Sequence, residues 1–289
     1  MFKVSVVINC YNGSKYLQKS LDSLINQSFQ NWELIFWDNM SKDESFDIFK
    51  KFKDKRFRYY RSQTHTTLHK ARNLALKECT GNIIGFLDTD DYWHKDKLKL
   101  QLEIFKKNKD IDCVYSKFWV KYENFFLPNK LVSLKNLPTG KIFYKLLDEY
   151  KFSLGSALFK REKLNNFPNI FSEKYDLISD FDFMLKFAKN NYLECVQKPI
   201  HYYRKHKSNM SLVNFKTQID QMNFWISDCE EKKVFSVDQM MKIKKHVGKM
   251  QSKYEIQKMT SKKFLNFLFL KKKQISIFKA IIYYFFKNF

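Results

Sequence analysis

Short apolar runs alternate with amphipathic segments through the first 115 residues. Val4 to Ile8 is a β-branched run broken only by Ser5, too short for a helix and suited to a buried strand. After the polar turn Asn9 to Gly13, Leu17, Leu21, Leu24 and Ile25 recur at helical spacing. Trp32 to Trp37 reads as a second strand, Asp43 to Phe52 as a helix, and Arg56 to Arg61 as a third strand. Leu68 to Lys77 predicts a helix carrying Arg72 and Asn73. The apolar run Ile83 to Leu87 is a fourth strand, followed by a helix from about Lys95 to Lys107 and a strand from Ile111 to Tyr115. This alternation predicts an α/β fold with a right-handed, doubly wound, mostly parallel sheet. From Asn214 to Gln257 the chain reads as helical, with Phe215, Ile219, Met222 and Ile226 on one face.

In such a sheet the loops after the strands share one rim, where ligands bind. That rim would carry Tyr11, the pair Asp38 and Asn39, and the carboxylates Asp88 and Asp90. Asp88, Asp90 and Asp91 follow a buried strand at once, and clustered carboxylates repel one another unless a cation sits among them. An isolated Asp-x-Asp is most often a solvated turn, but the elements around this one favour a hard cation, Mn²⁺ or Mg²⁺. Neither a G-x-G-x-x-G fingerprint nor a phosphate-binding P-loop occurs. With six glycines in 289 residues, there is little from which to build a glycine cradle. A diphosphate would therefore be met by the metal.

Hydrophobic content of 44% marks a globular chain. The net charge of +23 is uneven: Met241 to Phe289 holds 13 lysines against the single acid Glu255. Because that charge is interleaved with apolar residues rather than spread along the sheet, nucleic acid is not expected as a partner. In the tail, Ile275, Phe278, Ile282, Phe285 and Phe289 recur at alternating spacings of three and four, with Lys272, Lys279 and Lys287 to one side. That is the pattern of a helix lying in an anionic membrane surface. The competing reading is a helix docked on the catalytic domain or on a second copy of the chain, as in a homodimer. The five cysteines show no paired spacing, as in a reducing compartment. With neither a leader nor an uncharged run of about 20 residues, the expectation is a cytoplasmic protein, peripheral at the inner face of the membrane.

Several segments, in order, resemble the family 2 glycosyltransferases with the GT-A fold. They are Val4 to Asn12; Gln27-Ser28-Phe29; Trp32 to Ser41; Ala71-Arg72-Asn73; Gly81 to Trp93; Asp180-Phe181-Asp182; and Tyr202 to His206. The resemblance spans roughly residues 3 to 212. It implies a nucleotide-sugar half over residues 1–115, an acceptor half over 116–212, and a helical, Lys-rich extension over 213–289.

The resemblance also implies roles. Tyr11 would border the base, and Arg72 would lie near the nucleotide. Asp88 and Asp90 match the D-x-D pair, with Asp90 as the direct metal ligand and Asp88 nearer the ribose or a metal-bound water. Asp91 would be a carboxylate behind them. The family usually has two aspartates where this chain has Asp38 and Asn39. Either the Asn39 amide pairs with uracil or Asp38 reads the base. Phe152 to Phe159 resembles the strand lining the acceptor site. The acidic pair that ends in the catalytic base is Ser179-Asp180 here, leaving Asp180 as the base. Asp182 is read as structural, and Arg204 and His206 would reach the diphosphate or metal. The implied activity is inverting, metal-dependent transfer of a single sugar from a nucleotide donor, UDP-linked by resemblance, to a glycan or lipid-linked glycan. Surface polysaccharide, lipooligosaccharide or capsule synthesis is the setting. The alternative, resting on Asn39 and Ser179, is a non-catalytic sugar- or lipid-binding member.

Overall fold

The computed structural model describes residues 1–123, 128–210 and 214–258. Two compact units are formed, Met1–Leu146 with Tyr150–Lys205, and Leu147–Glu149 with the chain from His206 onward.

The first unit is built on one sheet of nine strands. Its parallel half comprises β1 (Val4–Cys10), β2 (Trp32–Asp38), β3 (Phe57–Arg61) and β4 (Ile83–Phe86), in the order β3-β2-β1-β4. β1 and β2 are buried along nearly their whole length, as continuous β-branched and aromatic runs require between two layers of helix. The helices between the strands are α1 (Ser14–Ile25), α2 (Ser45–Lys50) and α3 (Leu68–Lys77). α2 is shorter than its sequence pattern. Asp43 stays outside it, accepting hydrogen bonds from the backbone N–H groups of Ser14 and Ser45 at 2.9 and 3.1 Å.

Beyond β4 the chain adds β5 (Tyr92–Trp93), α4 (Lys97–Lys107), β6 (Cys113–Tyr122), β7 (Lys130–Leu131) and α5 (Phe143–Asp148). It continues with β8 (Leu158–Lys160), α6 (Arg161–Leu164), α7 (Ser179–Asn190) and β9 (Leu193–Lys205). The expected fifth parallel strand, β6, does not lie beside β4: β8 is inserted between them, antiparallel to both. β6 therefore still runs the same way as β4, and β9 is parallel to β6. Among the described residues, only the short strands β5, β7 and β8 oppose the common direction. The segment expected as an acceptor-side strand opens instead as a 3₁₀ turn, Leu154–Ser156. A Cβ on Gly155 would come 2.7 Å from His201 Cε1, so only glycine lets the backbone pass there. The β6–β9 ladder slips between Ser116 and Phe118, where Pro199 interrupts it. After the slip, His201 faces the core while Tyr202 is half-buried.

In the second unit the stretch read as helical forms two helices, α8 (Phe215–Glu231) and α9 (Val237–Lys258). Lys233, at φ 50°, ends the first, and the N–H of Val234 returns to the Cys229 carbonyl at 3.0 Å. Trp225, Ile226 and Cys229 from α8 and Ile243 and Val247 from α9 form its apolar centre. Among the described residues, no helix is long and apolar enough to cross a membrane. The amphipathic pattern from Ile275 to Phe289 lies outside the described residues.

Candidate active site

The carboxyl end of β4 delivers the aspartates. Leu87 still bonds to β1 through its N–H and the Val7 carbonyl, and the chain then turns, with Asp91 N–H donating to the Asp88 carbonyl at 3.1 Å. Asp88 is 41% exposed and accepts from Arg72 NH2 at 2.6 Å. Arg72, buried on α3, holds its guanidinium between Asp88 and His69, whose Nε2 lies 3.4 Å from NH1. His69 Nδ1 lies 3.2 Å from Asp176 Oδ1, and that contact, more than any other, pulls the Asp176 carboxyl below its usual range. A polar chain thus runs from Asp88 through Arg72 and His69 to Asp176, three residues before α7.

Asp91 turns inward. Its Oδ1 accepts the Arg204 N–H at 2.8 Å, and its Oδ2 lies 3.3 Å from His201 Nε2. Burial, then the charges of Asp90 and Asp88, push the Asp91 carboxyl well above its usual range. Burial, then Lys97, lowers His201 to about 3. Asp88 and Asp90, side by side on the turn, together set up a negative field there, which adds to burial in raising Asp91. Among the described residues, no group of three or more His, Cys, Asp or Glu side chains is arranged to hold a metal. A site with two hard oxygen donors, Asp88 and Asp90, in such a field fits Mg²⁺ or Mn²⁺, which complete their shell with water and phosphate.

Along the same rim, Tyr11 is 51% exposed, with its ring 4.2 Å from that of His65. Asp38 is fully buried, accepting from Ser41 N–H at 2.7 Å and from Tyr59 OH at 2.6 Å, with Arg61 NH1 at 3.6 Å. The amide of Asn39 is engaged by one neighbour. Its Nδ2 donates to the Thr66 carbonyl at 2.7 Å, and its Oδ1 accepts from Thr66 N–H and Oγ1 at 3.2 and 3.1 Å. Asn39 therefore shapes the loop after β3, while Asp38 ties the turn after β2 to β3.

Asp180 lies half-buried in the first turn of α7 and accepts the Phe181 N–H at 2.8 Å. It does not cap the helix from outside. Tyr150 is close enough that, after burial, the Asp180 charge contributes to raising its phenol well above the usual value. Asp182 is buried against Lys186 Nζ at 2.7 Å. Arg204 lies inside β9, with its Nε donating to the Asp90 carbonyl at 2.8 Å and its guanidinium 4.6 Å from the Tyr16 ring centre. His206 belongs to the second unit, with Nδ1 2.9 Å from Ser208 Oγ and its N–H donating to Asn209 Oδ1 at 2.6 Å. His69, Asp176 and His201 carry no local sequence signal, because their partners lie 107 and about 110 positions away in the chain.

Residues 5–167 match the model of the family described as glycosyl transferase family 2. An uncharacterized glycosyltransferase of Haemophilus influenzae is 32% identical over 229 residues, covering 77% of this chain and 87% of that protein. The Escherichia coli UDP-Glc:alpha-D-GlcNAc-diphosphoundecaprenol beta-1,3-glucosyltransferase WfaP is 28% identical over 223 residues, covering 76% and 84%. Among solved structures, the mannosyltransferase PcManGT of Pyrobaculum calidifontis, in complex with GDP-Man and Mn²⁺, superposes with a TM-score of 0.61 at 16% identity, covering 99% of this chain and 87% of that one. The chain is a glycosyltransferase and belongs to glycosyl transferase family 2, with the GT-A fold.

Proposed function

We propose that the chain moves one sugar from a UDP-linked donor to a glycan or lipid-linked glycan acceptor, with inversion at the anomeric carbon. The observation that carries this reading is the 2.6 Å contact between Arg72 and Asp88 on the turn that presents Asp88 and Asp90 at the sheet's rim. It keeps a cation beside a carboxylate cluster where a nucleotide diphosphate would arrive. Asp90, with Asp88 beside it, would hold Mn²⁺ or Mg²⁺, which supplies positive charge where the leaving diphosphate becomes more negative. Tyr11 borders the base, Asp38 and Asn39 shape its pocket, and Arg72 and Arg204 serve the nucleotide and diphosphate. Asp180 takes the proton of the attacking acceptor hydroxyl. A single displacement inverts the configuration. Residues 1–115 form the donor half, 116–212 the acceptor half and 213–289 the helical extension.

The Escherichia coli relative is named for a UDP-glucose donor and a diphosphoundecaprenol-linked acceptor, while the archaeal structure holds GDP-Man with Mn²⁺. These support a nucleotide-sugar donor and a divalent ion, and leave the base to be tested. The lysine-rich, aromatic tail supports attachment to the anionic inner face of the membrane, or else to a second copy of the chain. Calorimetry against UDP, GDP, CDP and dTDP, with and without Mn²⁺, tests the central reading. Metal-dependent binding of UDP alone is expected. Binding of another nucleotide would replace the donor, and binding of none would favour the non-catalytic alternative.

A further inference from the structure

The sheet face opposite His201 carries, around Arg204, aromatic and basic side chains that the donor reading leaves without a role. Across three strands, Trp119 of β6 is in register with Tyr202 of β9, and Tyr202 with Tyr92 of β5. Tyr92 and Tyr202 stack at 4.5 Å, only 9° from parallel. Two positions along the same face, Lys121 is in register with Arg204. Like charges opposite one another on neighbouring strands destabilise a sheet unless something lies between them.

A third cation joins them from α1. Lys19 Nζ stands 4.1 Å from the centre of the Tyr92 ring, and the Arg204 guanidinium 5.6 Å from it. Lys121 Nζ lies 5.7 Å from the centres of both Trp119 and Tyr202. Among the described residues, no carboxylate pairs with Lys19 or Lys121. The acid at this edge, Glu123, is held by Lys15 Nζ at 2.5 Å and Tyr16 OH at 2.7 Å. Burial, then the charges of Arg204 and Lys121, depress the Lys19 ammonium, so these cations feel one another. The four rings are half-buried, with Tyr16 beneath Arg204, so the surface is an ordered aromatic bed under a cluster of positive charge.

We propose that this face binds the diphosphate of the acceptor, with Lys19 and Lys121 as its charge contacts and the Trp119–Tyr202–Tyr92 row as the bed for the adjoining apolar chain. It rests on the acceptor being lipid-linked, as argued above, and locates that acceptor beside the aspartate turn, since Tyr92 follows Asp91 directly. A diphosphate matches several converging cations better than a neutral glycan does. Tyr and Trp suit the boundary between a charged head and an apolar chain.

The test uses the full chain and its Lys19→Gln/Lys121→Gln variant, titrated in EDTA with farnesyl diphosphate and with inorganic pyrophosphate. Both probes should bind without metal, and both should bind at least about tenfold more weakly to the variant. Flotation on phosphatidylglycerol vesicles should be the same for the two proteins. Thermal melting and UDP binding with Mn²⁺ show separately whether the variant is folded and whether the donor reading holds, so either idea can fail without the other. The proposal is overturned by absent binding, by binding that requires Mn²⁺, or by unchanged affinity in the variant. It is also overturned if the variant loses vesicle binding to the same degree, which would make the face a general anionic-membrane contact.

Discussion

Asp91 Oδ2 meets His201 Nε2 at 3.3 Å, with the two side chains 1% and 0% exposed. The same nitrogen lies 3.2 Å from Ser153 Oγ, at the start of the 3₁₀ turn. Trp93 Nε1 donates to the Gly155 carbonyl at 2.9 Å, and Gln101 Nε2 to the Ser156 carbonyl at 2.9 Å. The aspartate turn and the turn at residues 153–156 are therefore fastened to one another through the core. Replacing His201 with Phe keeps much of the volume and takes away the partner of the buried Asp91 Oδ2, while Oδ1 keeps the Arg204 N–H. We expect a loss of about 2–4 kcal/mol in urea unfolding. A loss under about 0.5 kcal/mol would show that Asp91 finds another partner.

Arg72 contacts Asp88 with one guanidinium nitrogen and His69 with the other. A lysine ammonium cannot serve both in that geometry. Arg72→Lys should lower kcat/KM by roughly 10- to 100-fold, or about 1.4–3 kcal/mol of transition-state stabilisation, in steady-state assays. Wild-type kinetics in this variant would reduce Arg72 to a surface-like charge.

Asp180 engages the backbone through one oxygen, a bond that an asparagine oxygen can also make. Asp180→Asn should leave the melting temperature unchanged and lower kcat by about 10²–10⁴-fold, the range for removing a general base. A tenfold or smaller loss would move the base elsewhere.

Asn39 donates to the Thr66 carbonyl, and an aspartate there would set a carboxylate against that oxygen. Asn39→Asp restores the pair common in the family, yet here it should disturb the loop and weaken UDP binding by roughly 5- to 20-fold in calorimetry. Tighter binding in the variant would mean that the loop rearranges and the carboxylate reads the base.

The parallel half of the fold was legible because its signals are local. Buried runs such as Val4–Cys10 and Trp32–Asp38 admit little but strand, and α3 spans Leu68–Lys77 as its periodicity predicts. The aspartate turn was legible for the same reason, since its three carboxylates adjoin in sequence. The insertion of β8 was not, because a three-residue strand carries no period and its place is decided by partners at Ile83–Gly85 and Cys113–Val114. Likewise, Asn39 reads as free to pair with a base until Thr66 is folded onto it. The pairing of Asp91 with His201 depends on the register of β9 after its slip at Pro199, a tertiary outcome with no local mark.

The opposite end of the strands offers a test of the scaffold that leaves the rim alone. Glu33 on β2 is 5% exposed, and its Oε1 accepts from Ser5 Oγ, Thr80 N–H and Thr80 Oγ1 at 2.6, 2.7 and 2.8 Å. Lys3 Nζ stands 3.2 Å from its Oε2. Burial alone would raise this carboxyl, but those hydrogen bonds outweigh it and hold the group at about 2, against 4.5 in the free side chain. Because the folded value is the lower one, the ionised group's stabilisation is complete above about pH 4.5 and is lost as pH falls toward 2. Glu33→Gln should cost about 2–3 kcal/mol of unfolding free energy at neutral pH. The gap to wild type should narrow on acidification through that window, while UDP binding at neutral pH stays the same. Denaturant unfolding at several pH values reads this directly. A gap that is constant with pH would mean that Glu33 acts through packing and not through its charge.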